Sequence, residues 1–369
     1  MNYIDRIEKE IISSPVSFEK LRRQEWHNEV KTEIAYNYET ISRIQRIAFI
    51  CFAIIVFPVG LAILTHKLIG KIVFSGWLTV KGHQKRFMEN YIGSVDNAQK
   101  LPKVIAKRIN LLVDGKIVDA FICGKPENIN NGKWVLVATG VGRCMEDMDN
   151  YEEFDSSFQK NYLFFNYPGV GASEGLPSKT QVVNTYTAML HFLEDDKKGV
   201  GAKEIICWGR SIGGAIQAES LKDHTFKNEV KYTIIRDRTF SRLSEVAWYT
   251  KVLKFVGWEF DGLLASERLE ELKKEEIILQ TAHQKPSITK STLSETERLQ
   301  KKDLYYNTED PLKADRIIHD GTISPSSSLA YALLSKQANW QYKKFISVSQ
   351  EKGHYRLPSL KISKMYFGI

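Results

Sequence analysis

Ser211 stands between Gly209 and Gly213 in the run IICWGRSIGG, Ile205 to Gly214. A Gly-x-Ser-x-Gly pentapeptide suits a nucleophilic hydroxyl on a sharp strand-to-helix turn. The glycines are needed because a side chain at either place collides as the chain reverses, and the reversal lifts the hydroxyl above the sheet edge. The pentapeptide arises by chance in about one chain in ten of this length, so its setting must carry the argument. Here a strand-like apolar run precedes it and a helical pattern follows. The Ile212 N–H then opens the helix, where a donor and the helix dipole suit a developing oxyanion. The competing reading is a Gly-rich junction with Ser211 as a simple cap.

A serine is a poor nucleophile without a base. Of eight histidines, His354 in SVSQEKGHYRL follows the last strand-like run and an adjacent glycine, where an imidazole can reach back over the sheet. His319 and His283 lie in polar connections, and His27, His66 and His83 lie in the N-terminal segment as interfacial or exposed groups. The imidazole needs a carboxylate to orient it and stabilise its protonated form. Asp320 in IIHDGTISP and Asp237 in IIRDRTFS both lie between Ser211 and His354 in the chain. Asp320 is the favoured acid; Asp237, flanked by Arg236 and Arg238, reads better as part of a local ion pair. A second oxyanion donor is expected from WVLVATGVG, where the Val141 N–H sits between Gly140 and Gly142.

These groups need a scaffold, and the region from about Lys103 onward has its pattern. NLLVDGKIVDAFICG alternates around Asp114-Gly115, a hairpin signal. WVLVATG, EIICWG, KYTIIRD, EIILQTA and FISVSQ are apolar runs, NYLFFNYPGVGASEG is strand-like and then glycine-rich, and a helical pattern covers VVNTYTAMLHFL. Strands alternating with helices predict an α/β fold with a mostly parallel sheet. Between Arg238 and Glu276, Trp248, Tyr249, Phe255, Trp258 and Phe260 suit either the core of packed helices or the wall of an acyl pocket.

Composition excludes other classes. The 369 residues are 43% hydrophobic and 26% charged, the proportions of a folded globular chain. Four scattered cysteines without CxxC spacing argue against a zinc site or a disulfide-built fold, and no cofactor is implied. Cys51, Cys123 and Cys207 lie in apolar runs and read as small buried hydrophobes. The net charge of +8 is concentrated: residues 65–110 hold nine Lys or Arg against Glu89 and Asp96. That block follows Ile47 to Leu64, eighteen residues without a charge and interrupted by Pro58 and Gly60. Two geometries fit, a short single span or a broken helix pair in one leaflet, with a helix packed on the main domain as the soluble alternative. Basic residues 67–108 then read as contacts to anionic lipid head groups rather than to nucleic acid.

FFNYPGVGASEG, CWGRSIGGAIQAES, DRTFS, DGTISP and KGH, in that order, resemble the α/β-hydrolase superfamily over roughly residues 105–369. With FPVGLAILTHKLIGKIV added, the chain is similar to the chlamydial CHLPS-type proteins and to the SidB-like effectors of Legionella. The resemblance implies an α/β-hydrolase fold and an effector-like lipase or esterase working at a host membrane, without metal or cofactor. It implies Ser211, Asp320 and His354 as the triad. Two departures stand out: Thr139 occupies the place of a frequent His, and Asp320 lies far beyond EIILQTA.

The expected organisation is an N-terminal helical segment, 1–102, with a membrane-associating stretch at 47–80, followed by a hydrolase domain, 103–369. A helical cap at about 241–275 and a loop insertion at about 283–316 interrupt that domain. The expected function is a serine esterase or lipase acting on acyl esters at a membrane surface, phospholipids or lysophospholipids among them. The rival readings are an inactive membrane adaptor with this fold, and a thioesterase or peptidase using the same residues.

Overall fold

The apolar runs become strands covered on both faces. The computed structural model describes residues 34–39, 42–75, 105–124, 127–145, 160–247, 250–283, 312–336 and 338–348. Among these, the strands are β1 (Ala35–Tyr36), β2 (Ile105–Val113), β3 (Lys116–Gly124), β4 (Lys133–Ala138), β5 (Asn161–Phe165), β6 (Glu204–Arg210), β7 (Lys231–Asp237), β8 (Glu275–Thr281) and β9 (Lys343–Val348). They form one sheet in the order β1-β2-β3-β5-β4-β6-β7-β8-β9. From β5 to β9 all pairings are parallel, while β3 runs antiparallel to both β2 and β5. The predicted α/β architecture with a mostly parallel sheet is therefore what forms.

Successive side chains of a strand point to opposite faces. Leu136, Ala138, Leu163, Phe165, Ile205, Cys207 and Ile234 share one core, and the alternate residues Val135, Val137, Phe164 and Ile206 are also buried. Burial on both sides is why these strands read as unbroken apolar runs rather than as alternating ones. The helices that pack around the sheet are α3 (Lys179–Glu194), α4 (Ile212–Leu221), α5 (Lys251–Phe255), α6 (Gly262–Glu271) and α7 (Leu329–Ser335). Ser178 caps α3 by accepting from the Gln181 N–H.

The predicted hairpin joins β2 to β3, with Asp114 at φ 49° and Gly115 at φ 74°. Both left-handed residues belong to the turn that matches the twist of paired strands. Asp114 also fastens neighbouring elements: Oδ1 accepts from the Tyr38 and Glu39 N–H groups, and Oδ2 accepts from Asn184 Nδ2 on α3.

Ahead of the sheet lie α1 (Arg43–Ile55) and α2 (Phe57–Val73). Ser42 and Gln45 form a reciprocal capping box at the start of α1. No single helix among the described residues is long and apolar enough to cross a membrane; α1 and α2 instead form a pair bent by 111°. The bend falls at Val56, with Pro58 in the first turn of α2. A Cβ on Gly60 would lie 2.4 Å from the Ala53 carbonyl oxygen, so the glycine is what lets the two helices meet.

Of the three cysteines read as buried, Cys51 is exposed on α1 and so corrects that expectation, Cys207 is buried, and the Cys123 side chain lies outside the described residues. Trp258 and Phe260 are fully buried in the main core, whereas Phe255 is 88% exposed. Trp248, Tyr249, residues 76–80 of the apolar stretch and residues 284–311 of the expected insertion lie outside the described residues.

Asp114→Ala keeps a left-handed residue at the turn while removing three hydrogen bonds. It is expected to lower stability by about 2 kcal/mol, read as a shifted urea midpoint at unchanged slope.

Candidate active site

β6 ends at Arg210, α4 begins at Ile212, and Ser211 between them has φ 52° and ψ −124°. A non-glycine residue there carries backbone strain of about 1–3 kcal/mol and persists only when its surroundings hold it. They do. The Ser211 N–H donates to the Asp237 carbonyl at 2.9 Å, and the Ser211 carbonyl accepts from Thr239 Oγ1 at 2.8 Å and from the Gly214 N–H at 3.0 Å. The flanking glycines are sterically required: a Cβ on Gly213 would lie 2.2 Å from the Ala138 oxygen, and one on Gly209 would lie 2.6 Å from Gly214 Cα. These contacts make the junction a strained elbow rather than a capped helix start, since the Ser211 side chain makes no capping bond.

The loop after β4 lies beside the serine. A Cβ built on Gly140 would sit 3.4 Å from Ser211 Cβ and 4.0 Å from Oγ. Val141 follows in an exposed turn, and the Arg143 N–H donates back to the Gly140 carbonyl. Across the elbow, Ile212 supplies the first N–H of α4, one of the terminal donors that a helix leaves without an internal partner. The structure thus brings Ser211, Ile212 and the Thr139–Gly142 loop together.

The two aspartates have different surroundings. Asp237 is fully buried at the end of β7, and its two oxygens accept from Arg238 Nε at 2.6 Å and Nη2 at 3.0 Å. Asp320 lies in the segment that follows β8 in the fold: the Ile318 N–H donates to the Thr281 carbonyl, and Ala282 pairs with Ile317. Its Oδ1 accepts from the Thr322 and Ile323 N–H groups at 2.9 and 2.7 Å, which fixes the carboxylate within a tight turn. Arg210, next to Ser211, feels both carboxylates; burial is the main cause that brings its guanidinium pKa down to about 10, so it stays charged at neutral pH. His354 lies outside the described residues. His319 Nδ1 instead accepts from the Gly321 N–H within its own turn, and His283 is exposed.

Beneath the elbow is a polar network that the sequence reading missed. Arg236 is fully buried. Its Nη1 donates to the Gly214 carbonyl at 2.6 Å and to Gln217 Oε1 at 2.9 Å, and its Nε donates to Glu276 Oε1 at 2.9 Å. Gln217 Nε2 donates onward to the Cys207 carbonyl on β6. Glu276 also accepts from Ser266 Oγ and Lys343 Nζ, both at 2.8 Å. Strand alternation was the available signal: Arg236 and Arg238 share a face opposite to Asp237's, yet only Arg238, beyond the strand end, turns back to it.

One cluster among the described residues, His191, Glu194 and His224, brings candidate metal-ligand atoms within 4.8 Å of one another. Hydrogen bonds account for this cluster, since Glu194 Oε1 accepts from Tyr232 OH at 2.5 Å and pairs with His224 Nε2 at 2.8 Å. His191 and Glu194 lie in the last turn of α3 and His224 follows α4, before β7 begins, so the cluster is at the amino ends of the strands, away from Ser211.

Burial raises the Glu276 pKa, but Arg236 and Lys343 more than offset it, so the carboxyl lies below its usual 4.5. The unfolded chain therefore binds that proton first as pH falls. The stabilisation is complete above pH 4.5 and is lost progressively below it. Glu276→Gln is expected to cost about 3 kcal/mol at pH 7 by leaving the buried Arg236 without a carboxylate, while Lys343 keeps Glu270. In urea titrations, the gap between wild type and variant should narrow once the pH drops below 4.5.

The family model described as Chlamydia CHLPS protein (DUF818) matches residues 14–365. The α/β-hydrolase domain-containing protein WAV2 of Arabidopsis thaliana is 30% identical over 201 residues. The match covers 52% of this chain and 63% of that protein, so the chain spans less than two thirds of its relative's length. Among solved structures, an α/β hydrolase from Vibrio vulnificus aligns at 17% identity with a TM-score of 0.44, covering 76% of this chain and 88% of that one. An esterase from Pyrococcus furiosus aligns at 13% identity with a TM-score of 0.42, covering 74% and 88%. With its sheet order, its elbow and a family match over nearly its whole length, this chain has the α/β-hydrolase fold and belongs to the Chlamydia CHLPS protein (DUF818) family.

Proposed function

We propose that the chain is a serine hydrolase that cleaves carboxylic acyl esters, phospholipids or lysophospholipids among them, at a membrane surface. The observation that carries this reading is the strained backbone of Ser211 at the β6–α4 junction, held with its hydroxyl beside the Gly140 loop. A cap needs no such conformation; a nucleophile that must stand above the sheet does.

In the proposed reaction, Ser211 Oγ attacks the ester carbonyl carbon while His354 takes its proton. The carbonyl π electrons move onto oxygen, and the Ile212 and Val141 N–H groups stabilise that oxyanion. Collapse expels the alcohol, which receives the proton from His354. Water, deprotonated by the same imidazole, then attacks the acyl-enzyme, releasing the acid and restoring Ser211. Asp320 orients the imidazole and stabilises its charged form. Its rigid turn favours this role, whereas both oxygens of Asp237 are engaged by Arg238. Metal and cofactor have no part in this scheme.

Hydrolysis of p-nitrophenyl esters of increasing chain length tests the assignment. Ser211→Ala and His354→Ala are expected to remove turnover. Asp320→Asn should lower kcat by about 10³–10⁴-fold with the fold intact by circular dichroism. Asp237→Asn should chiefly lower stability and reduce kcat less than Asp320→Asn does. A wild-type protein inert on every ester would favour the adaptor reading; turnover of thioesters or amides alone would favour the third. A larger kcat loss for Asp237→Asn than for Asp320→Asn would reverse the acid assignment.

A further inference from the structure

The helix pair α1–α2 leaves a large apolar surface uncovered. Ile44, Phe52, Ile54, Ile55, Phe57 and Ile72 are each more than half exposed, and other large apolar residues of both helices share that state. The uncovered area is on the order of 1,000 Å², against roughly 300–600 Å² for the largest patch of an ordinary monomer. Its distribution identifies what covers it. Ile44, Ile47, Phe49, Ile50, Phe52, Ile54 and Ile55 are spaced so that, at 100° per residue, they cover about three quarters of the circumference of α1, and Ala53, buried toward Gly60 of α2, lies in the gap. A protein groove covers one stripe of a helix; a helix apolar over so wide an arc suits lipid.

The dimensions match one leaflet. No charge occurs from Ile47 to Leu64, and the charges nearest that run are Arg46 before it and Lys67 after it. From Ile47 to the bend at Val56, and from the bend to Leu64, each apolar arm runs about 12–13 Å. The hydrocarbon core of a bilayer is about 30 Å thick, so each arm fits within half of it. The 111° bend turns the chain back, returning the basic residues Lys67 and Lys71 toward the side that Arg46 occupies.

The base of this V is fixed to the catalytic end of the domain. His66 Nδ1 donates to the Val256 carbonyl at 2.5 Å, Nε2 accepts from the Lys179 N–H, and the His66 carbonyl accepts from Trp258 Nε1 at 2.8 Å. Because a carbonyl only accepts and an N–H only donates, Nδ1 is the donor nitrogen of this ring and Nε2 the acceptor. At the end of α2, Phe74 packs on Tyr167 with ring centroids 4.9 Å apart, and Tyr167 OH donates to the Thr139 carbonyl. Ser75 Oγ lies 3.4 Å from where a Cβ on Gly142 would stand. The apolar V thus ends against the very loop that flanks Ser211.

We infer that α1 and α2 insert into a single leaflet of an anionic membrane and hold the mouth of the Ser211 site at the lipid interface. The placement of the mouth rests on the hydrolase reading; the insertion does not. The exposed Cys51 on α1 provides the reporter. The full chain carries an NBD fluorophore there, confirmed by peptide mapping, and is mixed with vesicles of phosphatidylcholine and phosphatidylglycerol. The expected result is a blue-shifted, several-fold brighter emission, quenched by lipids brominated along the acyl chains. A triple change at the tip, Ile54→Ser, Ile55→Ser and Phe57→Ser, should cut vesicle partitioning at least tenfold with circular dichroism unchanged. Unshifted emission, equal partitioning of the tip variant, or an impermeant reagent finding residues 42 and 75 on opposite sides of the vesicle would overturn it. Depth quenching needs no turnover, so an inert Ser211 with a quenched Cys51 would sink the hydrolase reading and leave the anchor standing. Should the anchor hold and Ser211 be active, hydrolysis of vesicle-borne esters by the tip variant should fall about tenfold while that of water-soluble esters changes less than twofold.

Discussion

The buried guanidinium of Arg236 links three elements at one point beneath the elbow: the first two turns of α4 through Gly214 and Gln217, strand β6 through Gln217 and Cys207, and strand β8 through Glu276. Lys343 adds β9 to the same carboxylate. Burying two cations and a carboxylate is costly, and an apolar replacement of equal shape could be as stable. What the apolar replacement would lack is direction. The guanidinium grips a carbonyl of the helix that carries the strained Ser211, and so holds the elbow in one orientation. The close packing of Gly209 and Gly213 then leaves the backbone no other course.

From that point the molecule is polarised along its strands. At their carboxyl ends lie Ser211, the Thr139–Gly142 loop, the Asp320 turn and the foot of α2. At their amino ends lies the Glu194, His224 and Tyr232 network, whose hydrogen bonds close α3 against the loop before β7. The apolar V belongs to the first end. Its foot touches the loop beside the serine through Phe74, Tyr167 and Ser75, so a displacement of α2 is felt next to Ser211.

Much of this was legible in the sequence, for identifiable reasons. KYTIIRD becomes a strand with those same ends, and β5 takes the start of NYLFFNYPGVGASEG, because a doubly covered strand is an unbroken apolar run bounded by polar turns. Asp114-Gly115 marked its turn through left-handed backbone chemistry, and the elbow glycines marked a steric need. The Asp237–Arg238 pair was also readable, being between neighbours in the chain. The Arg236–Glu276–Lys343 network was not, because its partners are 40 and 67 residues apart in the pairs they make with Glu276 and meet only through sheet order. The exposure of Cys51 was hidden for a different reason: apolar composition predicts removal from water, and says nothing of whether protein or lipid accomplishes it.

The account turns on whether Ser211 is an activated nucleophile. The most direct measurement is reaction of the folded wild-type chain with a fluorophosphonate, followed by intact mass and peptide mapping. It predicts one phosphonyl adduct, carried by the peptide containing Ser211 and lost on prior denaturation. A folded wild-type chain that takes up no label, or an adduct mapped to a different serine, would contradict it.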